Sequence, residues 1–188
     1  MMLTRPFLSL IVLALLAGCG GIKPRYLIDP PASDVRVRTA AQSIMLREVS
    51  LPGYAASEEI ALQDADGAVL EVKKALWADL PSRAVTLALA RQLDAALSAT
   101  VAAEPWPLAG LPDAEVEVRV DRALAGADGK FRLSGVYYVL SEIGSLGPES
   151  AEFEIAVPLA GPNPGDIAAA QSQALARLAE TMARGMER

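Results

Sequence analysis

The side chains that carry most enzyme chemistry are scarce in this sequence. It holds no histidine and a single cysteine, Cys19. Without imidazole, neither a Ser-His-Asp nor a Cys-His site can be assembled, and a histidine-ligated metal site is excluded as well. One thiol cannot form an intrachain disulfide. Carboxylates and lysines remain. Glu115 and Glu117, and again Glu152 and Glu154, are spaced two apart, which suggests paired carboxylates for acid–base work. They alternate, however, with Val116 and Val118, and with Phe153 and Ile155. That is the pattern of a strand with one buried and one solvated face. Asp64, Asp66 and Gly67 resemble the start of a calcium loop, but the further oxygen ligands and the terminal glutamate at fixed spacing are missing, and Glu71 lies too close. The same residues between two apolar runs fit a hairpin turn, where Gly67 tolerates positive φ. Lys23, Lys73, Lys74 and Lys130 are the only lysines, and none follows a Ser-x-x-Lys spacing. No glycine-rich phosphate loop is present. The expectation is a protein that is not an enzyme and takes no cofactor and no metal.

Cys19 is the exception, because its setting suggests one specific modification. Arg5 and the N-terminal amine are followed by an apolar stretch from Phe7 to Leu16, which is too short to span a bilayer as a helix. Leu16, Ala17 and Gly18 then provide small residues for a protease cleft, directly before the cysteine. This layout resembles the bacterial lipobox, in which a diacylglycerol is attached to the thiol and the chain is cut before it. Residues 1–18 are read as a lipoprotein signal peptide, Cys19 as the lipidated first residue of the mature chain, and 19–25 as a flexible tether. Two or three acyl chains anchor stably, where one binds only marginally. Gly20 stands where an aspartate tends to retain such proteins in the inner membrane. The expected location is therefore the outer membrane, on its periplasmic face.

The remaining residues, 26–188, are enough for one domain. The composition is 52% hydrophobic with a net charge of −6, which suits a packed core and lacks the basic stripe of a nucleic-acid binder. Short strands are expected at Tyr26–Asp29 and Ser43–Leu51, with a hairpin around Asp66-Gly67. Pro81 opens a helix that the stripe Val85, Ala88, Leu89, Leu93, Ala96, Leu97 and Val101 carries to Val101. Three alternating strands follow, through Val116–Val120, Phe131–Leu140 and Phe153–Val157. A last helix starts near Asp166 with Ile167, Ala170, Ala174, Leu175, Leu178 and Met182 on one side. The fold class this implies is α+β: a largely antiparallel or mixed β-sheet with two main helices packed on one face.

Two stretches are candidates for contact with a partner. Trp77 stands just before the first helix beside Asp79, where it either packs on the helix, with Asp79 as cap, or meets a partner. The connection 141–148 carries Ile143 and Leu146 beside glycines, either as a docking element or as a loop folded back onto the core.

Taken together these motifs are similar to a known family. The cysteine is followed by Tyr26-Leu-Ile-Asp-Pro-Pro, then Leu51-Pro-Gly-Tyr, Leu76-Trp-Ala-Asp-Leu-Pro, Val116-Glu-Val-Arg-Val-Asp and an alanine-rich last helix. This resembles the ABC-type transport auxiliary lipoproteins, the PqiC-like subunits that accompany MCE-domain transporters. The resemblance implies an accessory subunit working with an MCE-domain protein, a permease and an ATPase in lipid transport between the inner and outer membranes, or in membrane integrity. It allows a homo-oligomer and implies no nucleic acid. Two other readings stand beside it. One is a structural or assembly lipoprotein that scaffolds envelope proteins without handling lipid. The other is a periplasmic hydrolase built on carboxylates.

Overall fold

The computed structural model describes residues 23–141 and 143–187. The signal segment and Cys19 lie outside the described residues. Eight strands form one mixed sheet: β1 (Arg25–Tyr26), β2 (Ser43–Leu46), β3 (Glu59–Gln63), β4 (Val69–Trp77), β5 (Thr100–Ala103), β6 (Ala114–Ala125), β7 (Lys130–Ser141) and β8 (Ser150–Pro158). Among the described residues three helices accompany it: α1 (Gly53–Ala56), α2 (Pro81–Ala96) and α3 (Pro164–Gly185).

Strand β6 is the spine. Along one edge it pairs with β7 antiparallel over its whole length, and β7 pairs with β8 in the same way. Along the other edge run β2, Ser50 and β3 in turn, all parallel to β6, with Leu46 level with Val116, Ser50 with Arg119 and Leu62 with Ala125. Residues 43–63 thus behave as one interrupted strand, with α1 as an excursion. Outside them β5 pairs with β2, β4 with β3, and β1 with β4. The alternation in the sequence sets which face is covered. Val116, Val118, Val120, Phe131, Leu133, Phe153 and Val157 are all buried. Arg119, Glu152 and Glu154 point the other way and are exposed, as the strand periodicity requires.

Both long helices lie on the buried face, α3 against β7 and β8 and α2 against β5 and α3. Every residue of the two apolar stripes is buried. The stripe of α2 does not mark its end, though. The helix stops at Ala96, Leu97 is extended, and Val101 lies in β5 instead of a sixth turn. The Asp94 carboxylate accepts the Val101 backbone N–H at 2.8 Å, satisfying a donor at the sheet edge and reversing the chain there. The first strand is likewise shorter than expected. After Tyr26 the chain leaves the sheet and straps across both helices. Asp29 N–H donates to Ser172 Oγ at 3.0 Å, Ser33 Oγ donates to Glu180 at 2.6 Å, and Val37 N–H donates to the Ala96 carbonyl at 2.7 Å. The strand expected through Leu51 ends at Leu46, and Ser50 makes a single further bridge to β6. The short helix α1 has no counterpart in the sequence reading.

A buried hydroxyl ties helix to sheet, and a glycine lets two strands approach closely. Thr86 Oγ1 accepts the Val49 N–H at 2.9 Å and donates to the Ser82 carbonyl at 2.7 Å, tying α2 to the segment after β2. Gly135 sits opposite the β6 bulge between Val120 and Arg122, and a Cβ there would lie 2.1 Å from the Arg119 carbonyl oxygen. Only glycine permits that approach.

Candidate functional site

The three residues singled out for partner contact end in different environments. Trp77 closes β4, is 4% exposed, and forms the floor of a groove of about 310 Å³ between the strap and α2. Leu27, Ala84 and Leu87 line its walls, and Asp79 and Arg91 line its rim. Asp79 is not the helix cap. The cap position belongs to Leu80, without a side-chain hydrogen bond, and Asp79 instead accepts the Leu80 N–H at 2.8 Å and pairs with Arg83 one turn on.

The 141–149 connection divides. Leu146 is 5% exposed and joins the core beside Met186. Ile143 is 52% exposed. What folds the loop inward is Gly147: its φ is +125°, and a Cβ there would lie 2.0 Å from the carbonyl oxygen of Gly185 at the end of α3. Of the three residues, only Ile143 is open to another molecule in this fold. Leu140 and Leu111 are exposed at the same end of the sheet, where Ala114 pairs with Ser141.

Beside this loop a groove of about 880 Å³ runs onto the uncovered sheet face, lined by Glu117, Arg119, Tyr138, Leu140, Leu146 and Glu149. Glu117 and Arg119 within it are matched to each other. Arg119 Nε donates to Glu117 at 2.7 Å, and the guanidinium lies 5.1 Å from the centre of the Tyr138 ring. Arg47 reaches Glu115 at 2.8 Å. The Glu117 carboxylate beside Arg119 raises the guanidinium's affinity for its proton above the usual arginine value. Glu115 and Glu117 therefore sit on a solvated ladder paired with Arg47 and Arg119, and Glu152 and Glu154 are exposed on the same face. Among the described residues, no group of three or more acidic or cysteine side chains is placed to hold a metal ion. Burial pushes the Tyr137 phenol up, and that side chain faces the helices, away from this groove. The signals the sequence lacked are the partition of the loop and the groove itself, since both depend on contacts to α3 and to β6 distant in the chain.

The architecture, a mixed sheet with helices on one side, also occurs in solved structures. One, of an uncharacterized protein, superimposes with a TM-score of 0.67 at 18% identity, covering 83% of this chain and 94% of that one. A Xanthomonas campestris protein of the DUF330 family gives a TM-score of 0.67 at 17% identity, over 85% of this chain and 92% of that one. These likenesses speak for the fold. No curated protein matches. Residues 26–183 match the family described as ABC-type transport auxiliary lipoprotein component, and the chain belongs to that family. No helix among the described residues is long and apolar enough to cross a membrane.

Proposed function

We propose that this chain is a non-enzymatic subunit, anchored through acylated Cys19 at the periplasmic face of the outer membrane. In this reading it serves an MCE-type system whose permease and ATPase drive lipid movement between the two membranes. The observation that carries it is the family match over residues 26–183, whose members are transport auxiliary lipoproteins. Two further features support it. The leader ends in a lipobox-like Leu16-Ala17-Gly18-Cys19, and Glu117 and Arg119 in the large groove neutralise each other.

The partner surface in this proposal is the end of the sheet that carries Ile143, Leu140 and Leu111. The loops there, 104–113 and 141–149, contain Glu104, Asp113, Glu142 and Glu149 and no basic residue. An apolar tip with an acidic rim suits a partner surface with the reverse charge. Trp77 and Leu146 act from beneath, fixing the strap and the loop. The test is co-purification from detergent, with mass spectrometry of proteins and lipids. Ile143→Asp is expected to lower recovery of the MCE-domain protein at least fivefold while unfolding remains unchanged. Undiminished recovery removes this end from the interface.

A further inference from the structure

The opposite end of the molecule carries a feature that partner docking does not use. The β3–β4 hairpin projects beyond the helices. Val69 and Leu70 are 43% and 48% exposed, although both lie in a paired strand, opposite Gln63 and Leu62. Between Glu59 and Ala61 on β3 the partner strand advances from Leu76 to Glu71, so β4 bulges, and Lys74 takes a left-handed φ of +61°. The bulge turns Lys73 and Lys74 outward, and both are exposed. All four lysines of the chain lie at this end: Lys23 before β1, Lys73 and Lys74 on β4, and Lys130 at the start of β7. Asp66 and Glu71 on the hairpin, Glu59 beside Lys23 and Asp128 beside Lys130 offset that charge, so the end is mixed in sign. The Asp64 carboxylate is occupied within the turn, accepting the N–H groups of Asp66 and Ala68 at 3.0 and 2.8 Å.

The chain itself sets where the bilayer lies. Arg25 is level with Leu76, which is level with Glu59, and β1 runs parallel to β4. Leu76 N–H donates to the Pro24 carbonyl at 3.2 Å. Traced backwards from Arg25, the chain therefore heads toward the hairpin turn. Six residue steps separate Arg25 from Cys19, a reach of at most roughly 21 Å. The hairpin advances from Glu59 to Gln63 and then through its turn, a projection of roughly 15–20 Å at about 3.3 Å per strand residue. Even fully extended, the tether thus outreaches the hairpin beside it by only a few ångströms.

We infer that the β3–β4 hairpin is a membrane-docking element: with Cys19 held in the bilayer, Val69 and Leu70 enter the headgroup region of the same leaflet, and Lys23, Lys73 and Lys74 face its phosphates. This rests on the reading of Cys19 as the lipid anchor. It adds an orientation: the domain stands on the membrane on its hairpin, with the Ile143 end directed away from the bilayer.

The experiment uses full-length lipidated protein, reconstituted in vesicles of three parts phosphatidylethanolamine to one part phosphatidylglycerol. Leu70→Cys and Leu111→Cys variants each carry one environment-sensitive fluorophore, since acylation blocks the thiol of Cys19. The Leu70 probe is expected to shift to the blue on reconstitution. A nitroxide on the lipid headgroup is expected to quench it at least threefold more strongly than the Leu111 probe. A Leu70 probe that keeps its water-exposed emission in vesicle-bound protein overturns the inference and leaves the anchor standing. A blue shift that grows with protein density and ignores the nitroxide assigns the hairpin to self-association and also overturns it. Labelling of unsubstituted protein at Cys19 shows a free thiol, which removes the anchor and the inference together.

Discussion

The molecule contains two antiparallel hairpins with nearly the same turn. Asp64-Ala-Asp-Gly67 joins β3 to β4, and Gly126-Ala-Asp-Gly129 joins β6 to β7. Gly67 and Gly129 both have positive φ, of +89° and +72°. The turns specify reversal equally well, yet the hairpins have opposite fates. Strands β6 and β7 are twelve residues each; β7 alternates through Val139 and β6 as far as its bulge, so one face of both is buried. The outer part of β4 has no helix above it, and Val69, Leu70, Lys73 and Lys74 are left to solvent. Turn chemistry makes a hairpin, and coverage decides whether it serves as core or as a contact surface.

The largest effect should separate the two hairpins by burial. Leu133 on β7 is 2% exposed, and Leu133→Asp would place an unpaired charge beneath the helices. A loss of at least about 4 kcal/mol in denaturant unfolding is expected. Leu70→Asp in the same assay should change stability by no more than about 0.5 kcal/mol. Similar losses would mean that the projecting hairpin is part of the cooperative core.

Glycines sharpen the contrast. A Cβ at Gly135 meets the backbone of Arg119, so Gly135→Ala should cost about 1–3 kcal/mol through forced strand separation. At Gly67 nothing lies within 4 Å, and only the left-handed backbone resists a side chain. Gly67→Ala should cost about 1 kcal/mol. The same logic applies within the 141–149 loop. Leu146→Ser should lose about 2–3 kcal/mol, and Ile143→Ser should stay within about 0.5 kcal/mol by thermal melting.

The smallest effect is electrostatic and belongs to the β6–β7 turn. Arg132 grips Asp128 through two hydrogen bonds, at 2.9 and 2.5 Å, and holds its carboxyl down to about 2 from an ordinary 3.8. A depressed carboxyl contributes stability above its unfolded value and loses that contribution as the pH falls toward the folded one. The group is exposed, so the contribution is screened. Asp128→Asn should lower the melting temperature slightly at pH 7 and flatten the acid limb of the stability curve between pH 3.8 and about 2. An unchanged acid limb would show that the Arg132 pair does not persist in solution.

Much of this was readable from residue order. The stripes of α2 and α3 and the alternation of β6, β7 and β8 follow from periods of 3.6 and 2, and they fix the layers. The end of α2 was not readable, because Leu97 and Val101 continue the helical spacing while belonging to an extended turn and a strand. The parallel edge made by β2, Ser50 and β3 was hidden for a different reason. Its partner strand lies some 70 residues away in β6, and segments of one to five residues carry no period of their own. Among the site candidates, Ile143 and Leu146 are indistinguishable by sequence. Their separation depends on Gly147 meeting the Gly185 carbonyl, a contact between residues far apart in the chain. The hairpin turn was legible, but its projection was not, since it follows from the absence of a covering helix.

The proposed role rests most on Cys19, because an anchor there would set the compartment, the orientation and the roles of the two ends. Intact-mass analysis of protein extracted from its native membranes tests it directly. The expected species begins at Cys19, lacks residues 1–18, and carries the added mass of a diacylglyceryl group with or without a further acyl chain. A species that retains the leader, or one cut elsewhere with Cys19 unmodified, would contradict the account.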